Sequence, residues 1–290
     1  MMRYVTKYVT IRIMDATYNT KTAGIVKPRD LPDWLIARGT YVFSTEEASH
    51  LMDIPTDHVR QRLVPLRRRG AVVSAGRGLW LAVPADRRAW GAPEPMGYID
   101  DLMRAMGVDY AVGWLSAAAL RGASHQAAQV FQVAVERQVR SRDLGRSRLE
   151  FSRRSYLDEL PKERLTLASG RAEVARTEAI MLMLAADLDL AGGIDNAATA
   201  MLELAQENGG WEDGIAAASR LFPATAGRRC GWIIEHFLQE GSIPCSRLDV
   251  LADVCASRGG SSVLDPHLPR AGMVDSRWGI NVNRELEPDA

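Results

Sequence analysis

Cysteine is scarce in this chain. Its 290 residues hold three, Cys230, Cys245 and Cys255, and no two form a C-x-x-C pair. An odd, scattered set excludes a disulfide framework and a zinc ribbon. His236 follows Cys230 by six residues, a spacing that allows a metal site. A free cysteine more often behaves as a small buried hydrophobe, and these are read so. No apolar run approaches the roughly 20 residues that cross a bilayer. Residues 1–14 lack the apolar stretch and small-residue cleavage site of a signal peptide. Both absences set the expectation of a cytoplasmic protein with no membrane partner. Lysine is short as well, with only Lys7, Lys21, Lys27 and Lys162. Genome composition alone can favour arginine in this way, so where the arginines cluster says more than their number.

Chemical motifs are missing too. There is no G-x-x-x-x-G-K-[ST] loop, no G-x-G-x-x-G after a strand, no H-E-x-x-H and no G-x-S-x-G. The five histidines are scattered. Ser124-His125 is the best nucleophile–base lookalike, but adjacent side chains seldom face each other and no orienting acid follows. It reads as a turn. Glu150 and Glu173 could serve a nuclease, though no metal-binding pattern surrounds them. The expectation is therefore no catalytic residue, no metal and no cofactor.

What is present begins with uneven charge. The chain is formally neutral, yet residues 1–92 carry 15 basic and eight acidic side chains, or +7, and the remainder carries −7. A basic head on an acidic body suits a nucleic-acid binder with a second partner. Residues 4–14 alternate, with Val5, Val9, Ile11 and Ile13 on one side, and read as a strand of an N-terminal extension spanning 1–27.

Residues 28–92 read as a winged helix-turn-helix. Asp30 precedes Leu31-Pro32-Asp33-Trp34-Leu35-Ile36-Ala37-Arg38, a short helix stopped by Gly39. Thr40-Tyr41-Val42-Phe43 reads as a strand. Ser44-Thr45-Glu46-Glu47 is a capping box that opens a second helix. Asp53-Ile54-Pro55 is a tight turn, and Thr56 is the expected cap of a third helix. There Val59, Leu63 and Leu66 recur on one inward face. Asp57, Gln61 and Arg68 then point outward with His58 and Arg60 on the flanks, side chains suited to a major groove. Pro65 should kink or end the helix. Residues 71–74 and 79–83 form a hairpin around Ala75-Gly76-Arg77-Gly78, with Arg77 at its tip.

Residues 93–290 read as a larger domain, a small sheet with helices followed by a helical bundle. Residues 98–106 and 110–121 look helical. Residues 129–135, 148–151, 165–167 and 173–175 read as strands. Residues 178–188, 196–206, 214–222, 228–239 and 247–257 carry helical periodicity. The tail after Gly259 reads as irregular chain. The fold class expected is α+β. Arg137, Arg140, Arg142, Arg146, Arg148, Arg153 and Arg154 form a second basic segment, either a further DNA contact or a solvated hairpin. From residue 155 on, 21 acidic residues face 12 basic ones, a surface that could receive a basic protein or simply be solvated.

These segments carry a family likeness. Leu31-Pro32-Asp33-Trp34-Leu35, Asp57-His58-Val59-Arg60-Gln61-Arg62-Leu63, Pro65-Leu66-Arg67-Arg68-Arg69-Gly70 and Arg77-Gly78-Leu79-Trp80 resemble the winged-helix head of the AbiEi-type antitoxins. The run from Asp109 to Gly122, containing Gly113-Trp114-Leu115-Ser116, and Gln129-Val130-Phe131-Gln132-Val133 resemble the start of their larger domain. The likeness spans about residues 28–260. It implies an antitoxin of a two-gene toxin–antitoxin pair tied to phage defence. Such a protein represses the pair by binding repeats in its own promoter, and counteracts a nucleotidyltransferase-fold toxin directly or indirectly. Asp57, Arg60 and Gln61 would then read bases, and His58, Arg62, Arg67, Arg68, Arg69 and Arg77 would hold phosphates of double-stranded DNA. Two rival readings are a nuclease with a winged-helix head and a one-component regulator whose larger domain binds a small molecule.

Overall fold

The computed structural model describes residues 25–123, 130–238 and 245–288. The strand expected over 4–14 and the Ser124-His125 turn lie outside the described residues. The chain divides into two compact units, the first ending at Gly107 and the second beginning at Val108. It is a mixed α+β structure.

In the first unit a 3-10 turn at Pro28–Asp30 leads into α1 (Leu31–Ile36), β1 (Val42–Ser44), α2 (Thr45–Met52), α3 (Thr56–Arg68), β2 (Val72–Gly76), β3 (Leu79–Ala82) and α4 (Ile99–Met106). The three strands form an antiparallel sheet in the order β1-β3-β2, with Phe43 opposite Trp80 and Val73 opposite Leu81. One core joins helices to sheet: Leu31 and Leu35 of α1, Ala48 and Met52 of α2, Val59, Leu63 and Leu66 of α3, and Phe43, Val72 and Trp80 of the strands. Each large side chain buried there contributes about 1.5–3 kcal/mol.

In the second unit come β4 (Tyr110–Val112), α5 (Trp114–Leu120), β5 (Val130–Val135), β6 (Arg142–Leu144), β7 (Ser147–Arg153), β8 (Lys162–Leu167) and β9 (Gly170–Ala175). They build a six-stranded sheet ordered β6-β7-β5-β4-β9-β8, parallel at β5/β7 and β4/β9 and antiparallel elsewhere. Helices follow: α6 (Thr177–Ala186), α7 (Ile194–Glu207), α8 (Ile215–Ala218), α9 (Ala224–Phe237) and α10 (Cys245–Ser257). α6 is apolar almost all round and buried from Thr177 to Ala185, as a helix enclosed by others must be. Among the described residues, no helix is long and apolar enough to cross a membrane.

Three expectations are corrected. Residues 110–121 are not one helix: Tyr110, Ala111 and Val112 form β4, buried between β5 and β9, and the helix starts only at Trp114. Gly113 lies between the two elements, and a Cβ there would come 2.3 Å from the Met183 Cε, the flexible end of a side chain that would have to move aside. The tail after Gly259 is not wholly irregular. β10 (Ser262–Val263), β11 (Val274–Asp275) and β12 (Ile280–Asn281) pair in the order β10-β12-β11. Trp278 anchors this sheet, buried against Gly231 where no side chain could fit. Finally, of the kink or end expected at Pro65, the end does not occur there: α3 continues to Arg68 with Pro65 inside it. Proline removes only the hydrogen bond to the Gln61 carbonyl, on an exposed residue where water can replace it, and Leu66 buries its side chain one residue later.

Candidate nucleic-acid interface

The helix pair α2–α3 is fixed by short-range bonds that the sequence announces. The Ser44 hydroxyl accepts from the Glu47 amide at 3.0 Å, and the Glu47 carboxylate accepts from the Ser44 amide at 2.7 Å. This is the reciprocal cap expected. Asp53 closes α2 in the left-handed region, φ +52. Thr56, however, does not cap α3. Pro55 is the cap residue, without a side-chain bond, and the Thr56 hydroxyl donates to Ser49 Oγ at 3.1 Å. Ser49 in turn donates to the Ile54 carbonyl at 2.6 Å. Threonine here ties the two helices together instead of satisfying an amide.

With Val59, Leu63 and Leu66 buried, α3 turns its other faces outward. Asp57, His58, Arg60, Gln61, Arg62, Arg67, Arg68, Arg69 and Arg77 are all exposed. Among the described residues, Arg60, Arg62, Arg67, Arg68 and Arg77 make no ion pair or side-chain hydrogen bond. His58 lies 3.9 Å from Asp57. Arg69 is partly committed, since its Nη2 donates to the Arg29 carbonyl at 2.7 Å and binds the end of α3 to the 3-10 turn.

The β2–β3 hairpin is closed by two residues, Arg77 at φ +51 and Gly78 at φ +79. Two positive φ values in a two-residue loop are the pattern of a type I′ turn. Glycine suits the second position; arginine at the first holds a conformation that costs about 1–2 kcal/mol for a residue with a Cβ. The turn is held to α2: the Thr45 amide donates to the Gly78 carbonyl at 2.8 Å, its hydroxyl donates to the same oxygen at 3.0 Å, and Trp80 Nε1 donates to Thr45 Oγ1 at 3.1 Å. The Arg77 side chain is therefore presented by a braced turn.

The other candidates disperse. Glu150 sits on β7 and Glu173 on β9, with β5 and β4 between them, about 14 Å of sheet. Glu173 is paired with Arg164 at 2.9 Å. Among the described residues no three His, Cys, Asp or Glu side chains group as metal ligands. Cys230 and Cys255 are buried, and burial pushes both thiols up, away from the reactive thiolate. His236 stacks on Trp232 at 4.7 Å between ring centres. The second basic segment includes the β6–β7 hairpin at a sheet edge, where Arg148 meets Asp143 at 3.7 Å. Beyond it, Arg153 donates to the Glu136 carbonyl and Arg154 pairs with Asp187 at 2.8 Å.

Sequence reasoning missed one cluster. Trp114 is fully buried at φ +49, its Nε1 donates to Asp187 at 3.0 Å, and Arg154 lies over its ring at 4.9 Å. Burial, partly offset by Arg154, pushes the nearby Tyr156 hydroxyl up to about 12. The Trp-Arg-Asp contacts join residues up to 73 apart in sequence, so no local motif could disclose them.

These features define a two-unit α+β protein with a cationic helix and hairpin on one unit and a sheet-and-helix body in the other. Residues 111–235 match the family model of the AbiEi antitoxin C-terminal domain, so the resemblance seen in the sequence holds over these residues. That match supports an antitoxin role in a toxin–antitoxin system. Among solved structures, the chain is similar to the RV2827C protein from Mycobacterium tuberculosis, with a TM-score of 0.64 and 13% identity, over 89% of this chain and 92% of that one. At such identity the likeness is one of fold. No curated protein matches the chain.

Proposed function

We propose that this chain is the antitoxin and autorepressor of a two-gene toxin–antitoxin system. Residues 28–92 are a winged helix that binds the pair's own promoter as double-stranded DNA, and residues 93–290 counteract a nucleotidyltransferase-type toxin. Its place of action is the cytoplasm, and it works without a cofactor or catalytic residue. α3 is the recognition helix. Asp57, Arg60 and Gln61 read base edges; His58, Arg62, Arg67, Arg68, Arg69 and Arg77 hold phosphates.

The observation that carries the DNA-binding part is the set of exposed arginines on α3 and at the hairpin tip that make no bond to the described protein. A cation left without a protein partner on a helix whose opposite face is buried is free to neutralise phosphate. The order α1, α2, α3, hairpin is that of winged helices. The antitoxin part rests on the matched domain.

Two experiments test the reading. In a gel shift with the DNA upstream of its own gene, Arg60→Ala with Gln61→Ala should lower specific affinity by about 10-fold or more, since a good base contact is worth about 1–3 kcal/mol. Unchanged binding removes α3 from the reading role. Co-expression of the adjacent gene should arrest growth, and this chain should restore it. No restoration defeats the antitoxin assignment.

A further inference from the structure

We propose that an open cleft in the second unit receives an apolar, positively charged segment of a partner protein. Resting on the antitoxin reading, that partner is the toxin. The cleft, about 660 Å³, lies between the end of α9 and the chain around β11 and β12. One wall is aromatic: Trp232 stacks on His236, and Phe237 meets the His236 ring edge-on at 5.2 Å. The other wall is Met273, Val274, Val282 and Leu286. Met273 is 83% exposed and Val274 is 53% exposed. Scattered apolar exposure is ordinary, but two adjacent residues beside an aromatic wall mark an association surface.

The strand edges point the same way. β6 carries Arg142 and Asp143, and β8 carries Lys162, Glu163 and Arg164. Charges of this kind discourage strand pairing at the two ends of the large sheet. The small sheet has two edge strands, β10 and β11; β11 opens with Val274 directly after Met273 and carries a single charge, Asp275.

Charge selects the occupant. Asp275 and Glu285 line the cleft and form no ion pair among the described residues. Arg284, the one arginine in the lining, is shared between Asp195 and Asp265. Two carboxylates from outside the lining thus neutralise Arg284, and of the charged residues that line the cleft Asp275 and Glu285 remain unmatched. Such a rim repels nucleic acid and favours lysine or arginine beside a large apolar side chain. It also opposes a second copy docked on the same face, because a two-fold contact would set the acids against each other. Of the lining residues only Trp232 falls within the matched span 111–235, so the family match does not supply this surface.

The test uses the full chain and the purified product of the adjacent gene that arrests growth, titrated calorimetrically. Met273→Asp with Val274→Asp should weaken binding at least 10-fold and abolish growth restoration, while the gel shift with promoter DNA stays as in the unaltered chain. Glu285→Lys, which leaves the apolar wall intact, should weaken binding most at low salt. Wild-type affinity in both variants overturns the proposal. So does a dimer of the chain alone that Met273→Asp with Val274→Asp dissociates, which would assign the cleft to a second copy. Restoration of growth by the unaltered chain without measurable binding overturns the docking and leaves the antitoxin role standing. No restoration by the unaltered chain overturns both.

Discussion

Arg77 holds a left-handed backbone conformation, φ +51, at the tip of a turn that glycine would close without strain. Strain of this kind persists where the side chain has a use. Arg77→Gly should raise stability by up to about 1 kcal/mol, the relieved strain less the added freedom of the unfolded chain. It should also weaken DNA binding and lower the magnitude of its salt slope by about 1. Thermal unfolding and a gel-shift salt series measure the two effects; unchanged affinity would return Arg77 to the role of a turn residue. At this scale the sequence was readable wherever a residue acts through its neighbours. Ser44 and Glu47 announce their cap three positions apart, and Gly76-Arg77-Gly78 announces a turn. The Trp114–Asp187–Arg154 contacts were not readable, because their geometry depends on strand order, and a half-buried ion pair has the same letters as an exposed one.

Among the elements, α9 shows what holds the helical half together. Its adjacent Arg228 and Arg229 are both buried. Arg228 donates to Ser262 Oγ and to the Cys255 and Gly259 carbonyls, fastening the end of α10. Arg229 donates to the Ala185 carbonyl at the end of α6 and to Val263 and Leu264 around β10. Burial pulls its guanidinium down to about 10, with Asp265 acting against the shift, so it stays charged at neutral pH. Arg229→Met would leave three carbonyls without their donor, at about 1–3 kcal/mol for each that water cannot reach. Urea unfolding followed by tryptophan fluorescence should show a loss of roughly 3 kcal/mol, with Arg229→Lys intermediate. A neutral outcome would mean the carbonyls find other donors. Periodicity located α9 and its neighbours well, because helices repeat over ten or more residues. It failed at β4, where three buried residues before Gly113 look the same in a strand as in a helix, and at the two-residue strands of the tail. Arginine's usual exposure also hid the fastening role of Arg228 and Arg229.

For the whole molecule, the formal charge is zero while its distribution is not. A neutral chain would show little long-range attraction to DNA if only the total mattered. Screening makes the local pattern decisive: at about 0.15 M salt the Debye length is roughly 8 Å, so phosphates near α3 respond to charges within about that distance, those of α3 and the hairpin among them. If about six basic groups meet phosphates, the log–log dependence of promoter affinity on salt should have a slope near −5. Binding isotherms of the full chain from 50 to 300 mM salt measure it. A slope shallower than about −2 would mean that most of these arginines meet water, and would leave too few contacts for a recognition helix and its hairpin to account for repression.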